Sequence, residues 1–220
     1  TYIYKGNEII PSFSLSFEGT PLVLGTDYLI VSYSNNVNAG TASVTISGIG
    51  RFSGTSVENF EILPRSISDA TVTGIIDATY TGSEISQSPV VMLGNTVLRE
   101  GIDYKVSYSY NVSAGPALVT IEGINNYSGI IYSDFTIKPL DISAVSISEI
   151  DDVFFDYTYS YPSVTLTYAG TILSNYIDYK IQYDDNYNAG TATITISAVS
   201  SSNYTGYVTK TFTINKKDIG

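Results

Sequence analysis

The chain has 220 residues, 10 basic against 21 acidic side chains for a formal net charge of −11, and neither Cys nor His. A surface that negative repels phosphate backbones and anionic lipid heads, which makes nucleic acid a poor partner. Without thiol or imidazole there is no Cys or Ser-His nucleophile system, no Cys/His zinc site and no disulfide.

Charged residues are only 14% of the chain and Tyr alone contributes 20 residues. With abundant Thr, Ser, Val and Ile, this mixture favours pleated, half-buried strands. No stretch carries apolar residues at helical spacing over three turns, so almost no helix is expected. No apolar run approaches the length of a membrane span and no signal peptide is visible. The chain opens on strand-like "TYIYKG" and reads as an excerpt of something longer.

In chain order, the first clear element is "DYLIVSY" from Asp27, a strand beginning at Tyr28. "SNNVNAG", containing Asn36 and ending at Gly40, is turn chemistry, because Asn tolerates left-handed φ and Gly takes it freely. "TASVTIS" then alternates, with Ala42, Val44 and Ile46 inward and Thr41, Ser43 and Thr45 outward. A second turn, "RFSG", ends at Gly54, its Phe52 closing the end of the core. A last strand presents Phe60 and Ile62, and Pro64 sits in a joint where a missing N–H is tolerable.

The same text then returns twice. Asp27-Tyr28 recurs as Asp103-Tyr104 and Asp178-Tyr179, separations of 76 and 75. Asn36 and Gly40 recur as Asn111 and Gly115 and as Asn186 and Gly190; Gly54 recurs as Gly129 and Gly206; Phe60 recurs as Phe135 and Phe212. A fixed period of this kind marks a repeat architecture. "DYKVSY" places Tyr104, Val106 and Tyr108 on one face, and the additional residue in "DYLIVSY" predicts a β-bulge around Leu29 to Val31. The units fall at 1–64, lacking its first strand, 65–139 and 140–215, with 216–220 starting a following repeat. About seven short strands per unit, with turn signals between them, predict an all-β fold of three tandem immunoglobulin-like β-sandwiches of about 75 residues. At that size a core is marginal, so neighbours meeting at short joints add stability and stiffen an elongated rod.

"GTDYLIVSYSNNVNAGTASVTISGIGRFSG…NFEI" resembles the tandem immunoglobulin-like repeats of large Gram-positive bacterial surface proteins, across essentially the whole chain. Local departures are Pro116 after Ala-Gly, "YTYS" from Tyr157 lacking the Gly of "YTG", and the longer "SAVSSSNYTG". The resemblance implies an extracellular stalk or adhesin segment at a bacterial cell surface or wall, whose partners are its neighbouring repeats. It supplies no ligand.

Four features offer sharper chemistry. Lys105 and Lys180 with Asn111 and Asn186 could form isopeptide crosslinks, but alternation puts both lysines outward. Asp151, Asp152 and Asp156, and Asp184 with Asp185, could gather calcium, although no EF-hand spacing is present. Tyr110, Tyr132, Tyr187 and Tyr207 are exposed and could stack on glycan or a host surface protein. An enzyme is disfavoured, since the only acid that recurs is the Asp of "DY", at a junction where Asp commonly accepts a backbone N–H. The expected function is a non-catalytic spacer presenting a distal domain. The alternative is an adhesion module acting through loop tyrosines.

Overall fold

The computed structural model describes residues 1–200 and 202–220; Ser201, within "SAVSSSNYTG", lies outside them. The chain is all-β and built of three repeated units, with one short 3-10 turn at Ile142–Ala144 among the described residues. Each unit has one four-stranded sheet. In the first its order is Tyr2–Ile3, Thr55–Leu63, Gly40–Gly48, Tyr28–Ser34, the outer short strand parallel and the rest antiparallel. In the third, Val153–Phe154, Tyr207–Asn215, Gly190–Ala198 and Tyr179–Asp184 repeat that order. Smaller sheets accompany them: Thr71–Thr73 with Val90–Leu93 and Thr96–Val97, Ser146–Ile147 with Leu166–Tyr168 and Thr171–Ile172, and the two-stranded Ser16–Phe17 with Thr20–Pro21.

Packing divides the chain into two compact units. One comprises Thr1–Thr73, Pro89–Ser107 and Thr120–Tyr132; the other comprises Gly74–Ser88, Tyr108–Val119 and Ser133–Gly220. Each therefore contains one complete junction between successive repeats.

Alternation decides the core. Ala42, Val44 and Ile46 are buried while the Thr and Ser between them are not, and Ala192, Ile194 and Ile196 are fully buried in the same register. In the first unit the pairing slips between Ile30 and Ser32, leaving Val31 as an unpaired bulge residue that points into solvent.

The shared letters outside the strands are hydrogen-bond partners. The Asp of each "DY" closes its own turn: Asp27, Asp103 and Asp178 accept from the N–H of Val23, Arg99 and Ser174 at 3.0, 2.9 and 2.8 Å. The Asn of each hairpin turn clamps a distant loop. The side-chain amides of Asn36, Asn111 and Asn186 donate to the carbonyls of Ile9, Ile85 and Ser160 at 3.2, 3.0 and 2.8 Å. Return bonds run from Ile9, Ile85 and Ser160 N–H to the same three Asn carbonyls, each 2.8 Å.

The alignment of "YTG" needs correction. Tyr4, Tyr80 and Phe155 each donate N–H to the carbonyl that ends the last long strand, on Leu63, Lys138 and Asn215. Phe155 is thus the counterpart of Tyr4 and Tyr80. Tyr157, not Tyr159, stands where the others have Gly6 and Gly82, and it adopts φ 68°. The missing glycine does not change the backbone; the tyrosine is forced into it.

One tyrosine position carries a stability prediction. Tyr108 donates to the Gln87 carbonyl at 2.7 Å and Tyr183 to that of Pro162 at 2.6 Å, whereas the buried hydroxyl of Tyr33 has no partner among the described residues. An unpaired buried hydroxyl is a net cost, while a satisfied one contributes about 1 kcal/mol. Urea unfolding should show Tyr183→Phe losing about 1 kcal/mol and Tyr33→Phe losing nothing or gaining.

Candidate functional site

The feature built twice with the same parts is the joint between repeats. In each, the strand after the Pro opens the next repeat and pairs in parallel with that repeat's own turn-strand: Arg65–Ser66 with Tyr127–Ser128, and Leu140–Asp141 with Tyr204–Thr205. Bonds from Arg65 N–H to the Asn126 carbonyl and from Leu140 N–H to that of Asn203, at 2.9 and 3.0 Å, extend each pairing. The strand then buries an isoleucine, and Ile67 and Ile142 are both 0% exposed.

The Ala-Gly turn supplies the first contact between repeats. In the first two repeats the alanine N–H of this turn bonds to a side chain of the next repeat. Ala39 N–H donates to Asn126 Oδ1 and Ala114 N–H to Asn203 Oδ1, both at 2.8 Å. Asn126 also donates through its side-chain amide to Asn38 Oδ1 at 3.0 Å. The Ala-Gly of the hairpin, read from sequence as turn geometry alone, is therefore also a receptor for the next repeat.

Aromatic rings make the second contact. Tyr4 meets Tyr127 edge-on at 5.5 Å, and Tyr80 meets Tyr204 edge-on at 5.6 Å with Tyr168 beside it at 6.1 Å. Such pairs contribute about 0.5–1.5 kcal/mol beyond the area they bury. Tyr80 packs onto the core cluster of the third repeat, which includes Ile142, Leu166, Tyr179 and Tyr204. Tyr127 and Tyr204, the counterparts of Phe52, thus do more than close a core: they face the preceding repeat.

Burial pushes the Tyr127 phenol above its ordinary value, helped by the neighbouring Tyr4 and Asp103. Burial also pushes up Tyr204, with Tyr80 next in effect and Asp178 and Tyr168 adding. Each phenol holds its proton more tightly folded than unfolded, so its contribution is complete below the unfolded value near 10 and is lost as pH rises through the folded one. Urea midpoints should be level up to about pH 9 and fall above about pH 10, and Tyr204→Phe should shrink that fall.

The other sequence candidates are dispersed. No three acidic side chains gather into a cation site among the described residues. Asp152 accepts from Thr213 N–H at 2.7 Å, as Asp77 does from Thr136 N–H at 2.9 Å; Asp156 caps Thr158, and Asp184 takes the Gln182 amide. Asp151 and Asp185 are exposed, and Asp185 sits at φ 59° in a turn. Lys105 pairs with Glu122 at 2.9 Å on the outer face of its sheet, while Asn111 faces the Ile85 carbonyl; Lys180 is exposed. Tyr110, Tyr132 and Tyr207 are exposed, and Tyr187 touches Phe155 and Tyr159. Asn126, Asn203, Tyr4 and Tyr80 are contact residues between successive repeats that the sequence did not single out. The available signal was Asn-Tyr before Ser/Thr-Gly in the second and third repeats, with Arg51-Phe52 in the first.

No protein-family model matches the chain, and no curated protein matches it. Solved structures do. The chain is similar to a surface-layer protein. That structure, of surface layer protein SbsC, domains 4–9, is 15% identical, aligns over 93% of this chain and has a TM-score of 0.22. This chain spans 42% of the length of that one.

Proposed function

We propose that the chain is a non-catalytic spacer segment of a bacterial cell-surface protein, an array of immunoglobulin-like repeats that holds a distal domain away from the envelope. The observation that supports it is the repeated joint: an Ala N–H to Asn Oδ1 bond of 2.8 Å and an edge-on tyrosine pair link successive repeats in both. A flexible linker needs none of these. Two classes of contact at each junction convert neighbouring repeats from tethered modules into a mutually supporting array. Small-angle scattering tests the reading. The wild-type profile should fit one conformation, and the Asn126→Ala/Asn203→Ala double variant should require an ensemble. A wild-type profile that itself demands freely hinged repeats would sink the spacer.

A second reading, adhesion through surface tyrosines, has its own support. Tyr110, Tyr157 and Tyr176 are 80%, 74% and 77% exposed, and all three sit at positive φ. Sister repeats put Asn35 and Asp185 at the first of these positions and glycines at the other two, Gly6 and Gly82, Gly25 and Gly101. A tyrosine there costs about 1–2 kcal/mol of left-handed backbone strain with little burial in return. Retaining solvent-facing rings at that cost favours stacking on a ligand such as glycan. A glycan array probed with wild type and with Tyr157→Gly/Tyr176→Gly would register the loss of any such binding, while stability rises.

A further inference from the structure

The third repeat gathers tyrosines at positions where its sisters have none. With Asn186 aligned on Asn36 and Asn111, and Ser160 on Ile9 and Ile85, Tyr159 stands where the others have Glu8 and Glu84. Tyr161 stands in place of Ile10 and Ser86, and Tyr187 in place of Val37 and Val112. The three rings form one strip beside the Ala-Gly hairpin: Tyr159 lies 6.4 Å from Tyr161 at 32° and 5.1 Å from Tyr187 at 55°. The sister repeats keep the same four-stranded sheet and the same Asn clamp without them, so the fold does not require the rings.

The strip faces solvent, with Tyr159 and Tyr161 60% and 64% exposed. That openness belongs to the position. In the first two repeats, each of which has another repeat after it, Glu8, Ile10, Glu84 and Ser86 are likewise exposed and Val112 is 40% exposed. Phe155 and Tyr157 are set apart from the strip, because their counterparts Tyr80 and Gly82 abut the following repeat: Tyr80 meets Tyr204, and a Cβ on Gly82 would lie 2.8 Å from Ala169 Cβ.

Each repeat has a cleft at this hairpin. Asn35 to Thr41 wall the first, and Tyr110 and Val112 to Pro116 the second; among the described residues, none from the following repeat lines either. The third measures about 290 Å³, and its walls include Tyr159, Tyr187, Asp185, Asn188 and Thr191. Ring faces stand there beside hydroxyls, an amide and a carboxylate, so apolar surface, donors and acceptors meet in one place. A sugar ring, with C–H groups on its face and hydroxyls at its edge, matches that combination. No Lys or Arg lines the cleft among the described residues, and the chain carries a net charge of −11, which disfavours acidic sugars. A cationic peptide would need converging carboxylates, but Asp185 is the one in the wall. Both oxygens of Asp184 take the Gln182 amide, and Asp156 is bonded to Thr158.

We propose that this cleft is a carbohydrate site, in which Tyr159 and Tyr187 stack on one ring of a neutral oligosaccharide while Tyr161 carries the next. Asp185 and Asn188 hydrogen-bond the hydroxyls of the first ring. The proposal rests on the adhesion reading and deepens it, giving the ligand class a site made of other rings than Tyr110, Tyr157 and Tyr176.

Isothermal titration with cellohexaose, xylohexaose and mannohexaose tests it, with sialyllactose and heptalysine as charged comparators. At least one neutral hexasaccharide should bind with a Kd below about 1 mM, as suits a shallow exposed site. Tyr159→Ala should weaken that binding about 5–10-fold, the equivalent of one stacking contact. The triple variant Tyr159→Glu/Tyr161→Ser/Tyr187→Val installs the second repeat's own residues, so its urea midpoint should match the wild type while binding is lost. In saturation-transfer NMR the sugar C–H protons should take up magnetisation from the tyrosine rings of the wild type and not from the triple variant. The proposal is overturned if no neutral hexasaccharide binds the wild type below about 1 mM, if binding survives the triple substitution, or if a charged comparator binds more tightly. Tyr157→Gly/Tyr176→Gly separates the two readings. Binding kept there and lost in the triple variant supports the cleft and removes the strained rings; the reverse leaves adhesion standing and overturns the cleft.

Discussion

Replacing Ile142 by alanine should lower the stability of the compact unit that contains it by about 2–5 kcal/mol, the range for truncating a fully buried aliphatic side chain that cannot be refilled. Ile142 is 0% exposed and belongs to the cluster with Leu166, Leu173, Tyr179, Ile196 and Tyr204. It is held at both ends. Before it, Leu140–Asp141 is pinned to Tyr204–Thr205; after it, Asp141 caps the 3-10 turn Ile142–Ala144 by accepting from Ser143 N–H. Neither side can move to close the space left by the removed methylenes, so the upper half of the range is expected. Ile219→Ala alters the same letter at the equivalent, wholly exposed position and should change stability by less than about 0.5 kcal/mol. Urea unfolding of the full chain followed by tyrosine fluorescence reads both, and equal effects of the two substitutions would refute the assignment of Ile142 as the joint's anchor.

Adding one methyl group at Gly123 should cost about 1–3 kcal/mol, the penalty of overpacking against atoms that cannot yield. A Cβ at Gly123 would lie 2.7 Å from Ser128 N and 3.0 Å from Ser128 Cα, both backbone; at Gly48 it would lie 2.9 Å from Ser53 N. The cause is the tight turn that follows, closed by Gly123 N–H to the Gly129 carbonyl and by Gly48 N–H to the Gly54 carbonyl, 2.9 Å each. The third repeat has Ala198 at this place, and it closes the corresponding bond to Gly206 at 3.0 Å with two more residues in the turn. In the sequence the alanine thus comes together with a turn segment two residues longer, "SAVSSSNYTG". Gly123→Ala alone should destabilise. The same substitution together with the third repeat's turn, "VSSSNYTG" in place of "INNYSG", should recover most of the loss in the same urea assay.

Alternation at Ala42, Val44 and Ile46 fixes which face is buried, because the side-chain period of a strand is a local property of the backbone. The bulge at Val31 was legible for the same reason, since one surplus residue breaks parity. The 75-residue period was legible by arithmetic, and with it the three repeated units. The joints were not. Ala39 meets Asn126 across 87 residues and Ala114 meets Asn203 across 89, and no local pattern says which loop of one repeat reaches which turn of the next. The same blindness misplaced the glycine of "YTG": letter matching aligned Tyr159 with Gly82, and only the N–H bond from Phe155 to Asn215 shows that Tyr157 occupies the position.

By itself, then, the sequence determined the strand faces, the turns and the number of repeats, because each depends on a few neighbouring residues and on hydrophobic periodicity. Tertiary structure alone decided that the Ala-Gly turn of one repeat receives the Asn before the turn tyrosine of the next. Those roles arise where separate surfaces meet, and a backbone donor acquires that meaning only when the chain brings its acceptor to it.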